Sequence, residues 1–467
     1  LRSSTIRRET AMPTYLITSA VFVATISVMS LTSVHAEFKL STFETDVTIP
    51  IGHRCMGVLP TKSKSIADPL EARGFVLLGS GKPIVVIAVD WCEIRNGAYD
   101  QWREAIAAAT GTSRERVLVT SLHQHDAPVT DAGAAQLLRD VGLANELYDE
   151  NFHQQTVATV AHAARESLVR AVPVTHVGTG EARVNMIASN RRVVLEDGRV
   201  SFGRGSSSGG DAFHSKAALG EIDPFVKTIS FWNEETPIAA LSVYATHPMS
   251  RYGEGKVSAD FVGLARRRRQ LDLPNVTQIY ASGCSGDITA GKFNDRSDQA
   301  REQLITRLYE GMKAAWQNTK KQPIKNIAFR STPLELEFYQ HGDLEPEKLK
   351  AALEDANLRT EDRILAAMGL SSHQRVAAGQ PIDFPCVDFG DTQLLLFPGE
   401  AFVGYQLMAQ QVNPDRFVVS MGYGECWPGY IPMNSSFGDG FHDKWLWVPV
   451  GSENRVQAAL QRLLTPQ

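Results

Sequence analysis

The clearest pattern in the chain is an unbroken apolar run, Pro83-Ile-Val-Val-Ile-Ala-Val-Asp90. Continuity rather than alternation suits a strand covered on both faces, as in parallel sheets clothed by helices. An alanine-rich stretch with helical periodicity follows at about 99–109 and stops at Thr110-Gly111, and 116–121 predicts a second strand. Strand, helix and strand with short connections predict a βαβ unit, hence a parallel pair in a mixed α/β fold. Further along, 226–232 and 237–244 flank Asn-Glu-Glu-Thr and predict a β-hairpin. The pattern turns helical over 260–271, extended over 277–282, and helical again over the long amphipathic stretch 298–318. Residues 344–378 predict two more helices packed as a peripheral insertion, and 392–397 and 416–420 predict two final strands. The run GRGSSSGG (203–210) predicts a flexible loop. Neither an internal repeat nor a long linker interrupts the series.

One apolar stretch stands apart. Tyr15–Leu31 is uncharged, Arg2, Arg7 and Arg8 precede it, and Val34-His35-Ala36 follows as a small-x-small site. That order predicts a secretory signal peptide, cleaved after about Ala36, and an exported protein, periplasmic or extracellular. Retention of the same stretch as a single N-terminal membrane anchor is the other reading. Residues 37–467 then form one catalytic domain. The 467 residues are 43% apolar and 21% charged, the balance of a folded globular protein, and disorder is excluded. A net charge of −5 offers no basic field for phosphate backbones, so nucleic acid is not an expected partner. Cys55, Cys92, Cys284, Cys386 and Cys426 include no CxxC pair, which argues against a cysteine-type zinc site. In an oxidising compartment they allow one or two disulfides with at least one thiol left over.

The candidate chemistry lies at strand ends, where open α/β sheets place their ligands. Four predicted strands run into a potential ligand or proton carrier: His123 and His125, His247, Glu400 and Tyr430. Two imidazoles, a carboxylate and an oxygen donor suit Zn²⁺ with one position left open for water. Alternate residues of a strand face opposite ways, so if His123 faces the metal, His125 reaches the same pocket only through a turn. That favours His125 as an acid–base group, or as a residue supporting the ligands from behind, over a second ligand. Each residue also has a plainer reading. A histidine after a strand is commonly structural, Glu400 could be a carboxylate favoured at a helix N-terminus, and Tyr430 a buried aromatic beside Trp427. Asp90 is expected to hold backbone or a ligand histidine, and Asp287 to orient either its loop or a ligand. Arg266–Arg269 reads as a solvated helix face. Trp427, Trp445 and Trp447 line either an entrance or the core.

These residues sit in a series of short motifs: TSLHQHDAP (120–128), ASNRR (188–192), ATHPMS (245–250), GCSGDIT (283–289), PGEAF (398–402) and PGYIPM (428–433). In kind and order they resemble the neutral/alkaline non-lysosomal ceramidase family, over roughly residues 45–455. The resemblance is to the catalytic domain alone, without the β-sandwich domain that follows it in characterised members. It implies His123, His247 and Glu400 as zinc ligands with Tyr430 completing the set, His125 as the proton carrier, and Arg191 facing the substrate. The family's Gly-Asp-Val-Ser-Pro-Asn loop reads Gly286-Asp287-Ile288-Thr289-Ala290-Gly291 here, so any part played by that serine falls to Thr289. Asp126 replaces a residue that is commonly serine, a charge expected to raise His125 or fix its tautomer.

The implied reaction is zinc-assisted hydrolysis of an N-acyl amide, in ceramide or a related lipid. The metal acidifies a water and polarises the carbonyl, while Tyr430 and Arg191 stabilise the oxyanion. The implied partners are a small-molecule or lipid amide substrate and, for a lipid, peripheral contact with a membrane surface. The alternatives are hydrolysis of another ester or amide, and a secreted binding protein that keeps the metal without turnover.

Overall fold

Three sheets, each carrying one parallel strand pair, organise the molecule. The computed structural model describes residues 38–465 together with 1, 3–6 and 8–12; the predicted signal, Tyr15–Leu31 with Val34–Ala36, lies outside the described residues. Ala36–Gln467 forms one compact unit. The first sheet runs in the order Val117–Ser121, Ile84–Val89, Glu71–Leu78, Lys39–Asp46, Val172–Pro173. The second runs Thr277–Ser282, Thr236–Tyr244, Phe225–Asn233, His176–Arg183, Lys320–Pro323. The third runs Ala328–Leu334, Ile382–Asp388, Thr392–Leu396, Phe417–Met421.

The parallel pairs are Ile84–Val89 with Val117–Ser121, Thr236–Tyr244 with Thr277–Ser282, and Thr392–Leu396 with Phe417–Met421. A helix bridges each pair: Asn96–Thr110, Asp260–Asp272 and Val403–Val412 respectively. The expected βαβ unit is thus present, and two more accompany it. The expected hairpin forms between Phe225–Asn233 and Thr236–Tyr244. Gly111, at φ 71°, ends the first bridging helix in the left-handed conformation that glycine adopts freely.

All three sheets share one apolar core. Phe75, Val86 and Leu118 of the first meet Ile229, Leu241 and Ile279 of the second and Leu394, Val419 and Met421 of the third. Each fully buried aliphatic there contributes about 1.5–3 kcal/mol. On its other face each sheet has a helical layer, Asn96–Thr110 with Glu150–Ser167 over the first and Asp260–Asp272 with Asp298–Gln317 over the second. This double cover explains the unbroken apolar runs. Among the described residues no helix is long and apolar enough to cross a membrane.

Several local expectations are corrected. The helices Pro346–Glu354 and Thr360–Ala377 form as predicted, but the second is not peripheral. Its Ser371 donates to the buried Asp131 at 2.7 Å, and its buried Arg375 donates to the half-buried Asp100 at 2.7 Å. Arg266 and Arg269 are buried rather than solvated. Arg266 forks onto Asp90 at 2.6 and 2.8 Å and reaches Glu71 at 2.7 Å. Asp90 also accepts the Glu71 backbone N–H at 2.9 Å, so it fixes backbone and not a histidine. The run 203–210 is anchored: Arg204 is buried and donates to the carbonyls of Asn190, Ala218, Leu219 and His214. All five cysteines are free and buried. Trp427, Trp445 and Trp447 belong to the core.

One buried group predicts a pH-dependent stability. His153 is buried in the helix Glu150–Ser167, and its Nε2 accepts the Trp102 indole N–H at 3.2 Å. Burial lowers its pKa from 6.5 to about 4, so the folded protein keeps it neutral where the unfolded chain takes up a proton. The stability is therefore complete above pH 6.5 and is lost as pH falls toward 4. The expected loss is about 2 kcal/mol between pH 7.5 and pH 5. His153→Gln, neutral at both pH values, should remove that much of the pH dependence in urea unfolding. An unchanged dependence would assign acid sensitivity to other groups.

Candidate metal centre

The carboxyl ends of the three parallel pairs meet at one point. The first pair delivers His123, whose φ of 65° is a left-handed conformation costing about 1–2 kcal/mol for a non-glycine residue. Its backbone N–H donates to Trp91 O at 2.9 Å, which fixes the turn. The turn brings both histidines of His123-Gln-His125 to the same place, with ring centroids 5.1 Å apart. The second pair delivers His247, held to the loop after the next strand by a parallel bridge to Thr289. The third delivers Glu400, in a two-residue strand whose partner places Tyr430 directly opposite. Gly286 lets the loop 283–289 lie against this strand, because a Cβ there would stand 2.1 Å from Glu400 O.

His123 Nε2 lies 3.2 Å and His247 Nε2 lies 2.9 Å from the same oxygen, Glu400 Oε2. The far side of each ring meets a backbone carbonyl: His123 Nδ1 is 3.2 Å from Cys92 O, and His247 Nδ1 is 2.9 Å from Ile288 O. A carbonyl only accepts, so Nδ1 carries a proton in both rings and Nε2 is the atom turned toward Glu400. Three ligand atoms therefore converge on one point. Ligands about 2.0–2.1 Å from a tetrahedral ion stand about 3.3 Å apart, so this donor set fits zinc. The carbonyls on Nδ1 are the orienting contacts that metal-binding histidines need. Burial opposes ionisation of Glu400, but His123 and His247 prevail and hold its carboxyl well below the usual range. Burial and then Arg191 push His247 down to about 4.

His125 differs from the other two imidazoles. It is buried, 5.0 Å ring to ring from Tyr252, and neither ring nitrogen has a hydrogen-bond partner among the described residues. Burial, His123 and His247 together keep its pKa well below 6.5. Asp126 does not fix its tautomer as expected, because that carboxylate accepts the Gly253 N–H at 3.0 Å. Arg191 Nη1 donates to the Tyr430 hydroxyl at 2.8 Å. Its backbone N–H donates to Asp287 O at 2.7 Å, while the Asp287 carboxylate accepts from Asn190 at 2.7 Å and from Val403 N–H at 2.8 Å. Asp287 thus orients the loop and not a ligand. The Thr289 hydroxyl accepts Gly291 N–H at 3.0 Å and reaches Gly205 O at 3.4 Å, so it is committed to its own loop.

Two further residues, absent from the motif series, stand against His123. Tyr423 stacks on His123, centroids 4.4 Å apart at 16°, and its hydroxyl meets Ser285 Oγ at 2.8 Å. Glu93 approaches His123 Nδ1 from behind at 3.7 Å. Tyr423 lies inside the Gly/aromatic run that ends at Tyr430, which was the available clue; Glu93 had none.

No protein-family model and no curated protein matches the chain. Among solved structures, the crystal structure of neutral ceramidase from Pseudomonas aeruginosa aligns with a TM-score of 0.65 at 16% identity, covering 92% of this chain and 76% of that one. A ceramidase complexed with C2 aligns with a TM-score of 0.64 at 15% identity and the same coverage. The fold of this chain is that of the neutral ceramidases.

Proposed function

We propose that the protein is an exported zinc-dependent amidohydrolase cleaving the acyl amide of ceramide or a related N-acyl lipid. The observation that carries this reading is the convergence of His123 Nε2, His247 Nε2 and Glu400 Oε2, a buried N/N/O set able to close on one cation. Bound there, zinc supplies an acidified water near neutral pH and a Lewis acid for the scissile carbonyl. His125, with both nitrogens uncommitted, takes up the proton of the attacking water and returns it to the leaving amine. Arg191 brings a guanidinium to the Tyr430 hydroxyl, and the two donate to the developing oxyanion. Burial raises the Tyr430 phenol well above its ordinary value, so it stays a donor at working pH. Phe402 and Phe441 pack edge-on against Tyr430 and exclude water from that side.

Elemental analysis and turnover of an N-acylsphingosine panel, before and after chelation, test the reading. About one zinc per chain is expected, with hydrolysis lost to the chelator and restored by zinc. Metal-free protein indifferent to chelation would overturn the mechanism, and bound metal without amide cleavage would overturn the substrate.

A further inference from the structure

We propose that Glu93 is the positioning residue for His123, accepting its Nδ1–H when a metal ion is bound at Nε2, and that Arg95 locks Glu93 in place. The proposal rests on the metal-centre reading above. Glu93 lies in the strand Glu93–Arg95, paired in parallel with Val129–Asp131. Its side chain is 1% exposed. One carboxylate oxygen, Oε2, accepts from Arg95 Nη1 at 2.6 Å. The other, Oε1, is buried, has no partner among the described residues, and stands 3.7 Å from His123 Nδ1.

A buried carboxylate oxygen left idle is costly, and a salt bridge that served only stability would not leave one aimed at an imidazole. The Nδ1–H has a second acceptor, Cys92 O at 3.2 Å, which is long for such a bond. Carbonyl and carboxylate therefore flank one N–H. Electron withdrawal at Nε2 makes Nδ1–H a stronger donor, and a fully desolvated anion then gains more than a carbonyl does. The result is a fixed tautomer, a fixed ring angle and a more basic Nε2.

Arg95 is built to hold that anion still. Its guanidinium is buried, lies 4.1 Å over the Trp447 ring, and donates to Trp427 O at 3.0 Å. Asp131 approaches it from the side away from Glu93 at 3.8 Å. Two buried acids thus share one cation, and the charge that Glu93 turns toward His123 is only partly neutralised.

Zinc affinity, measured by competition with a chromophoric chelator, tests this against a purely structural role. Glu93→Gln keeps the shape and an acceptor for Arg95, and is expected to weaken zinc binding about 10–100-fold. Asp131→Asn removes a neighbouring buried charge and weakens the Ala134, Asn96 and Ser371 contacts but keeps the 2.6 Å Glu93–Arg95 bond and does not touch His123. It is expected to leave zinc affinity unchanged while lowering the melting temperature of the metal-free protein. Equal zinc affinity for Glu93→Gln and wild type, or an equal loss in Asp131→Asn, overturns the proposal alone. Wild-type protein that takes up no zinc overturns the metal-centre reading with it. Should Glu93→Gln fail to fold, a crystal structure of zinc-loaded wild type decides. Glu93 Oε1 within hydrogen-bonding distance of His123 Nδ1 supports the proposal, and a separation still near 3.7 Å overturns it.

Discussion

Replacing Glu400 by glutamine is expected to empty the metal centre and reduce amide hydrolysis about a thousandfold. The carboxylate oxygen that both Nε2 atoms approach, at 3.2 and 2.9 Å, is the only anion shared by His123 and His247 among the described residues. Glutamine keeps the volume but removes the charge, and its amide N–H can donate to a lone pair that would otherwise bind the ion. The metal's electrostatic contribution is several kcal/mol; about 4 kcal/mol corresponds to a thousandfold in rate. The fold should survive, because the register with Tyr430 is made by backbone, including Glu400 N–H to Gly429 O at 2.8 Å. The metal-free variant should melt no higher than metal-free wild type, since it loses the carboxylate charge that His123 and His247 stabilise. Zinc-to-protein ratio and kcat/KM check the expectation. Retained zinc with a rate within tenfold of wild type would remove Glu400 from the centre.

Much of this arrangement was legible because burial on both faces leaves a plain trace. The strand at 84–89 is apolar throughout and that at 117–121 is buried throughout, and each ends where the chain turns polar. The polar residues just past those ends, and past Tyr244 and Leu396, are the ones that converge. The second and third βαβ units were harder to see. The helix Asp260–Asp272 carries four consecutive arginines, and two of them, Arg266 and Arg269, face inward. Such a run looks solvated because the partner that permits burial, Asp90, lies 176 residues away in sequence. The helix Thr360–Ala377 misled in the same way. Ser371, Ser372 and Arg375 look like a wet face, yet they are buried and serve Asn96, Asp131 and Asp100. Buried polar networks are defined by long-range partners, and no local period encodes them. Glu93, in a strand of three residues, is the extreme case.

His125→Gln is expected to separate proton transfer from metal binding, lowering kcat about 10²–10⁴-fold with zinc content unchanged. His125 stands two residues from His123 and is equally buried, so proximity does not distinguish a ligand from a proton carrier. Hydrogen bonding does. His123 and His247 each present Nε2 to Glu400 and anchor Nδ1 on a carbonyl, whereas both nitrogens of His125 are free of protein partners among the described residues. An unanchored imidazole can exchange a proton at either nitrogen, and nothing fixes its ring as a ligand requires. Its ring stands nearly perpendicular to both neighbours, at 83° to His123 and 81° to His247. Its centroid is 6.1 Å from that of His247, against 4.9 Å between His123 and His247. The variant should therefore bind zinc with wild-type affinity and lose turnover mainly in kcat, because the proton is moved after substrate is bound. Zinc lost from His125→Gln as completely as from Glu400→Gln would make His125 a ligand. Wild-type kcat with zinc in place would mean that the proton travels by way of another group.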